Sequence, residues 1–359
     1  MNSFKLLQLN IFCRPKFVKT HGRDFRTFRL NELLKISPNY DVICLQEYFE
    51  CKSNRKMLDN FMQRLELQGF TYHITGPWQG RCGAFMSGGL LLASKYPIVD
   101  YEAVPYKDHG YASDSLTKKG FLYAKIQFPT KAVQIITTHL QANYNTEKEQ
   151  PRHQKSTTSQ LTQLSAFIQS NLNHELPIIL AGDFNIDALL DEFETPGSPP
   201  ESLRRVVEYY DSDLGRFKGT IRHQNMPAIG NRVHCTQNYT NMIQILNCLE
   251  KTYKPQFDIP EQQSSGEHLD YKLVDLPLEY YDGHPVTFGD IYVINGKIEA
   301  REKHLTGDKC QCSCQRLDYI FTYQNKGFEY IEARVLSGFV RGSTKQLSDH
   351  YGHEVEFVL

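Results

Sequence analysis

Two short acidic clusters, LAGDFN at Leu180–Asn185 and SDH at Ser348–His350, carry Asp183, Asn185, Asp349 and His350. Asn10, the pair Gln46–Glu47, His139 and Asp318 complete an ordered set of amides, carboxylates and imidazoles. Together these are the groups needed to hold a hard divalent cation and to activate a water against a phosphate ester. Glu47 follows the apolar run DVICL, and a carboxylate there suits Mg²⁺, with Mn²⁺ as a substitute. The plainer reading of Glu47 is a loop carboxylate capping the next segment. Asn10 ends the first apolar run, where its amide binds the metal or orients Glu47; standing alone it is a turn residue. Asp349 adds another oxygen donor to that metal set.

Asp183 and Asn185 lie two apart, so a continuing strand places them on one side. One would then orient the nucleophilic water and the other bind phosphate or metal, although G-D-x-N is also good Asx-turn chemistry. His139 ends VQIITTH, a place from which an imidazole can donate to phosphate oxygens as charge builds. His350 titrates near neutrality and can take the proton of the attacking water. Such a base needs a carboxylate on its other nitrogen. Asp318, opening DYIF, is the candidate, with a strand-start residue as the plain alternative. His350 and His353 form H-x-x-H, but Tyr351–Gly352 and EVEFV mark a turn entering a strand, which argues against a helical zinc site.

These residues need a scaffold that delivers them to one edge. Strands are expected at Leu6–Ile11, Asp41–Leu45, Leu90–Ser94, Phe121–Phe128, Ala132–Thr138, Pro177–Ala181, Leu317–Thr322, Tyr330–Leu336 and Glu354–Val358. Apolar spacing predicts helices over Phe25–Leu34, Met57–Leu67 and Ser159–Leu172, with a polar loop at 141–155. Residues 191–315 open with a Pro/Gly/Ser stretch and hold few periodic runs, so they read as an insertion with one short helix near 201–210. The core is then 1–190 and 316–359 of a single catalytic domain spanning 1–359. Alternating strands and helices argue α/β, and strands without intervening helices favour a mixed two-sheet sandwich.

The chain has 359 residues, 40% of them hydrophobic, and a net charge of −1, so no global cationic field draws in nucleic acid. No apolar stretch approaches the roughly 18 residues of a membrane span, and the first residues do not read as a signal peptide. A cytoplasmic or peripheral-membrane protein is expected. Nine scattered cysteines fit a reducing compartment better than a disulfide scaffold. Cys310, Cys312 and Cys314, with His304 as a fourth donor, lack the spacing of a zinc finger and read as a thiol-rich loop.

The ordered set Asn10, Gln46–Glu47, SGGLLLAS, TTH, GDFN, RLDYIF and SDH resembles the endonuclease/exonuclease/phosphatase superfamily over about 1–190 and 316–359. The resemblance implies a four-layer αββα sandwich of the deoxyribonuclease-I type, with a Mg²⁺-dependent site at one edge of the paired sheets. It also implies Glu47 as metal ligand, and His350 as a base supported by Asp318. Three segments, THLQANY, DSLTKKGFLYAK and HPVTFGD, resemble the neutral sphingomyelinases in particular. By that resemblance Lys119 is a phosphate-side lysine and Asp114 its partner acid, whereas unaided reading makes Lys119 a solvated charge beside Lys118. A sphingomyelinase C-type activity at a sphingomyelin-containing membrane surface is implied, with a nuclease of the same superfamily or a catalytically silent lipid-binding relative as alternatives. Secreted members insert an aromatic hairpin into the bilayer just before the final histidine; here LSGFVRGSTKQ offers only Phe339. Trp78, Phe85 and Met86 are alternative membrane contacts.

Overall fold

The computed structural model describes residues 3–15, 18, 24–77, 86–143, 150–189, 210–211, 216–217, 229–230, 232, 235–247, 272–289, 291–294, 297–300, 315–323, 328–336 and 347–359. The first sheet holds β1 (Ser3–Cys13), β2 (Val42–Tyr48), β3 (Tyr72–Gly76) and β4 (Leu90–Ser94). The second holds β5 (Ile98–Pro105), β6 (Gly120–Gln127), β7 (Ala132–His139), β8 (Ile178–Asp183), β9 (Leu273–Asp275) and β10 (Asp318–Tyr323). The last strands, β11 (Glu329–Leu336) and β12 (Gly352–Val358), return to the first sheet. The orders are β11-β12-β1-β2-β4-β3 and β9-β10-β8-β7-β6-β5. Both sheets are mixed: β1–β2 and β7–β8 are parallel, and the other pairs are antiparallel.

Side-chain alternation sorts the strands into layers. Phe4, Leu6, Val42, Cys44, Leu90 and Leu92 of the first sheet meet Leu122, Ala124, Val133, Ile135, Ile179, Ala181 and Ile320 of the second in one buried cluster. The intervening residues face outward. Leu7, Leu9, Ile43 and Leu91 are covered by α1 (Arg26–Ile36) and α2 (Arg55–Glu66). Ile136, Leu180 and Phe321 are covered by α3 (Gln150–Asn171) and α4 (Gln237–Asn247). Strands buried on both faces read as continuous apolar runs, which is why LLLAS and IILAG lack visible alternation. The result is the expected four-layer αββα sandwich.

Three details depart from sequence expectation. The helix foreseen from Ser159 begins at Gln150, because its first turns bury polar groups (His153, Ser156 and Thr157) that a hydrophobic pattern does not register. β3 and β5 carry too little apolar periodicity to be foreseen; α4 buries Tyr239, Met242 and Leu246 at helical spacing, a pattern that reading 191–315 as an insertion leaves out. Within 191–315, β9 is the edge strand of the second sheet and α4 packs against α3, whereas the short helix foreseen near 201–210 lies outside the described residues apart from Tyr210.

Candidate active site

The parity that builds the inter-sheet core also builds the site. On β1 the inward residues Phe4 and Leu6 continue to Gln8 and Asn10; on β2, Val42 and Cys44 continue to Gln46. On β7 the series runs through Ile135 and Thr137 to His139, on β8 through Ala181 to Asp183, and on β10 it begins at Asp318. Each strand therefore swaps an apolar inward residue for a polar one at the same edge. Register then sets neighbours: Asp183 pairs with His139 on one side and Asp318 on the other, while Asn10 pairs with Gln46 across the gap.

Asn10 lies at the meeting point. Its Oδ1 accepts from the Phe12 N–H at 3.0 Å, so its Nδ2 faces the acids. That nitrogen donates to Asp183 Oδ2 at 2.9 Å and Glu47 Oε1 at 3.3 Å, and lies 3.4 Å from His350 Nε2. Glu47 adopts φ 57, a left-handed conformation unusual for a residue with a Cβ, and such strain collects at functional sites. Its other oxygen, Oε2, is buried and has no hydrogen-bond partner among the described residues. Burial pushes the Glu47 carboxyl above its usual range, and Asp349 pushes the same way against Arg14.

His350 Nδ1 lies 2.8 Å from Asp318 Oδ2. An ionised carboxylate only accepts, so Nδ1 carries the hydrogen. Nε2 is 3.8 Å from Asp183 Oδ2. Burial alone would depress His350, but the carboxylates of Asp318 and Asp183 outweigh it and lift it to about 10. Burial raises Asp183 to about 7. Asp183, Asp318 and His350 form a buried group with ligand atoms within 4.8 Å of one another, the one such metal-capable cluster among the described residues.

On the other flank, Lys119 is 3% exposed, not a solvated charge. Its Nζ lies 2.8 Å from Asp114 Oδ2, 2.6 Å from Leu140 O and 3.1 Å from His139 Nε2. Three N–H groups thus meet three acceptors. Because an ammonium can only donate, His139 Nε2 accepts and the neutral ring carries its hydrogen on Nδ1. Burial, with Lys119 and His350, keeps His139 well below its ordinary pKa. β8 ends at Asp183, so strand alternation does not place Asn185. A left-handed turn does: its φ is 50, its N–H donates to Asp183 Oδ1 at 2.9 Å, and its Nδ2 donates to Leu140 O at 3.1 Å. Asx-turn chemistry overrides the expected same-face strand geometry at this position.

Sequence reading missed three supports. Gln8 reaches Asp318, Thr287 Oγ1 accepts from the backbone N–H groups of Leu317 and Asp318, and Arg29 donates to Phe12 O and Leu347 O. Gln8 alone had a signal, its parity with Asn10. Of the membrane contacts, Met86 is 6% exposed and buried, which corrects that assignment; Trp78, Phe85 and Phe339 lie outside the described residues, as do Cys310, Cys312 and Cys314. His353, with Val355 and Phe357, faces the sheet interior on a strand, not a helical metal site. No helix among the described residues is long and apolar enough to cross a membrane.

A family model described as Endonuclease/Exonuclease/phosphatase family matches residues 7–350. A sphingomyelinase of Dictyostelium discoideum is 28% identical over 378 residues, covering 88% of this chain and 71% of that protein. Sphingomyelinase C 2 of Leptospira interrogans is 27% identical over 192 residues, 51% of this chain, and the alignment spans 30% of that longer protein. A mutant beta toxin from Staphylococcus aureus with bound magnesium ions superposes with a TM-score of 0.54 at 18% identity over 99% of each chain. D. rerio TDP2 complexed with single strand DNA product gives a TM-score of 0.57 at 13% identity over 100% of each chain. At these identities the structural likeness is one of fold.

Proposed function

The chain belongs to the endonuclease/exonuclease/phosphatase family, and from that premise we propose that it is a Mg²⁺-dependent phosphodiesterase cleaving sphingomyelin to ceramide and phosphocholine. The sphingomyelinase relatives support the substrate class. The observation that carries the chemistry is the His350–Asp318 pair, hydrogen-bonded at 2.8 Å through Nδ1, with Nε2 turned toward Asp183.

Glu47 and Asp349 would hold the cation; Asn10, expected among its ligands, has its Oδ1 taken by the Phe12 N–H and turns Nδ2 to Glu47 Oε1, so it orients Glu47 instead. The cation's fit rests on the buried, unpartnered Oε2 of Glu47 and on the like charge of Asp349 that acts on it, a set of hard oxygen donors short of positive charge. When bound, Mg²⁺, or Mn²⁺ in its place, would polarise a phosphoryl oxygen and stabilise the leaving alkoxide. The trio Asp183, Asp318 and His350 is also compact enough to ligate a metal, but Asp318 and His350 already satisfy each other. We therefore assign that trio to proton transfer.

Asp183 Oδ2 and His350 Nε2, 3.8 Å apart, are spaced to share one water about 2.8 Å from each. His350 takes the proton of that water as its oxygen attacks phosphorus. The carboxylates of Asp318 and Asp183 that raise His350 also stabilise the imidazolium it becomes on taking that proton. Asn185 fixes Asp183 through its backbone N–H and lines the phosphate side. His139 supports the charge that develops there, and Lys119, held by Asp114, contributes its positive charge without a spare N–H. The enzyme would act at a sphingomyelin-containing membrane surface, as one catalytic domain; the region 191–315, expected as an insertion decorating the core, supplies β9, α4 and Thr287 to it.

The test is phosphocholine release from sphingomyelin–detergent micelles with Mg²⁺ or with EDTA, beside abasic DNA and phosphatidylcholine. Mg²⁺-dependent release from sphingomyelin is expected. DNA cleavage without lipid turnover would assign the site to a nuclease, and vesicle binding without product would remove the catalytic reading.

A further inference from the structure

One buried polar side chain at the sheet interface has no part in the chemistry above. Gln8 is fully buried, two residues before Asn10 on the same face of β1. Its Nε2 lies 2.7 Å from Gln46 Oε1 and 3.1 Å from Asp318 Oδ1. An amide nitrogen has two N–H groups, and here each meets an acceptor. The opposite amide orientation would set Gln8 Oε1 against a carboxylate and a carbonyl, so the acceptors fix the flip. Gln46 in turn donates from Nε2 to Thr137 Oγ1 at 3.0 Å. The chain Thr137–Gln46–Gln8–Asp318–His350 therefore crosses from β7 to β2 and β1 and back to β10, bridging both sheets with fully buried links up to Asp318.

We infer that Gln8 is a positioning residue for the reaction: it pins one oxygen of Asp318 so that the other stays aimed at His350 Nδ1. The inference rests on the base role proposed for His350. The backbone of Asp318 is already held by Thr287 Oγ1 and by pairing with Asp183, but neither restrains rotation of the carboxylate about its side-chain torsions. Gln8 is the donor found on Asp318 Oδ1. In a low-dielectric setting a carboxylate oxygen left without a donor is costly, so Asp318 lacking Gln8 would turn to share its proton-bearing partner differently. A base displaced by a fraction of an ångström loses rate without losing substrate affinity.

The experiment is a double-mutant cycle on Mg²⁺-dependent sphingomyelin hydrolysis, with Gln8→Met as the near-isosteric variant and Asp318→Asn as its partner. We expect Gln8→Met to lower kcat by up to about a hundredfold, with KM within about twofold. In the Asp318→Asn background the same change should cost almost nothing, because its route to the base is already broken. The His350 Nδ1–H proton resonance should shift in Gln8→Met, while the Mg²⁺ concentration for half-maximal rate stays put. Full additivity of the two changes, an unshifted resonance or an unchanged kcat would overturn the inference. Wild-type turnover by Asp318→Asn would instead remove the base assignment beneath it. Should Gln8→Met fail to fold, Gln8→Asn keeps a buried amide one methylene short of Asp318 and should show the same kcat loss.

Discussion

The two halves of the site differ in how completely their carboxylates are satisfied. On the His350 side, Gln8, Asp318, Thr287 and His350 are joined by bonds of 2.8–3.1 Å and both Asp318 oxygens are engaged. On the Glu47 side a strained backbone holds a carboxylate with one buried oxygen unpartnered and Asp349 acting on it as a like charge. In the first half both carboxylate oxygens of Asp318 are met by protein groups, although Gln8 Oε1 is itself buried without a partner among the described residues. In the proposed function the second is completed by a cation. If the proposed function holds, proton transfer is pre-organised and the charge that polarises phosphate is imported, so the halves should fail in different ways.

The sharpest break is at His350. We expect His350→Ala to lower turnover by about 10²–10⁴-fold with the fold intact, measured as phosphocholine release beside near-ultraviolet circular dichroism. Near-normal turnover by a folded variant would remove His350 from the mechanism. Next, His139→Ala should cost about a hundredfold in kcat through lost support of developing charge, with a smaller effect on KM. If KM alone rose, His139 would belong to substrate binding. The Glu47 half should answer to metal, not to proton transfer. Saturating Mg²⁺ at about 100 times its dissociation constant should stabilise the protein by about 2.7 kcal/mol, and Glu47→Gln should abolish that shift in a thermal melt. An equal shift in the variant would move the cation elsewhere, with the Asp183–Asp318–His350 trio as the next place to look.

The smallest effect is in pH dependence. His350 rises from 6.5 to about 10 in the fold, so the native state binds its proton more tightly than the unfolded chain does. That stability is fully present below about pH 6.5 and is lost as pH rises through about 10. The melting-temperature gap between the cation-free protein and His350→Gln should therefore narrow from pH 6.5 to 10. A widening gap would mean that the Asp318 and Asp183 carboxylates do not dominate its environment.

Much of the catalytic set was legible because strand-end polar residues break apolar runs. Asn10, Glu47, His139 and Asp183 stand where a run stops, and Asp318 where one starts. Lys119 was marked, with Asp114, only through the family resemblance, since a lysine beside another lysine in sequence carries no mark of burial of its own; folding puts it between Asp114 and Leu140. Arg29 and Thr287 were invisible for a similar reason. They act on backbone atoms of segments far away in sequence, and no local pattern encodes that.

By itself, the sequence determined which residues face inward. Alternation of two is a property of the extended backbone, so the parity of Phe4, Leu6, Gln8 and Asn10 follows from their numbers once β1 is a strand. It also determined the chemistry at hand, hard oxygen donors and imidazoles for a phosphodiester. Only the tertiary structure decided that five strand ends meet at one edge, because that depends on register between strands and on two sheets packing face to face. The same packing removes water from His139 and Asp183 and so sets their protonation, and it sets the carboxylates of Asp318 and Asp183 against His350, which lifts it. Desolvation comes from neighbours brought in by folding and is not a property of any residue in the chain.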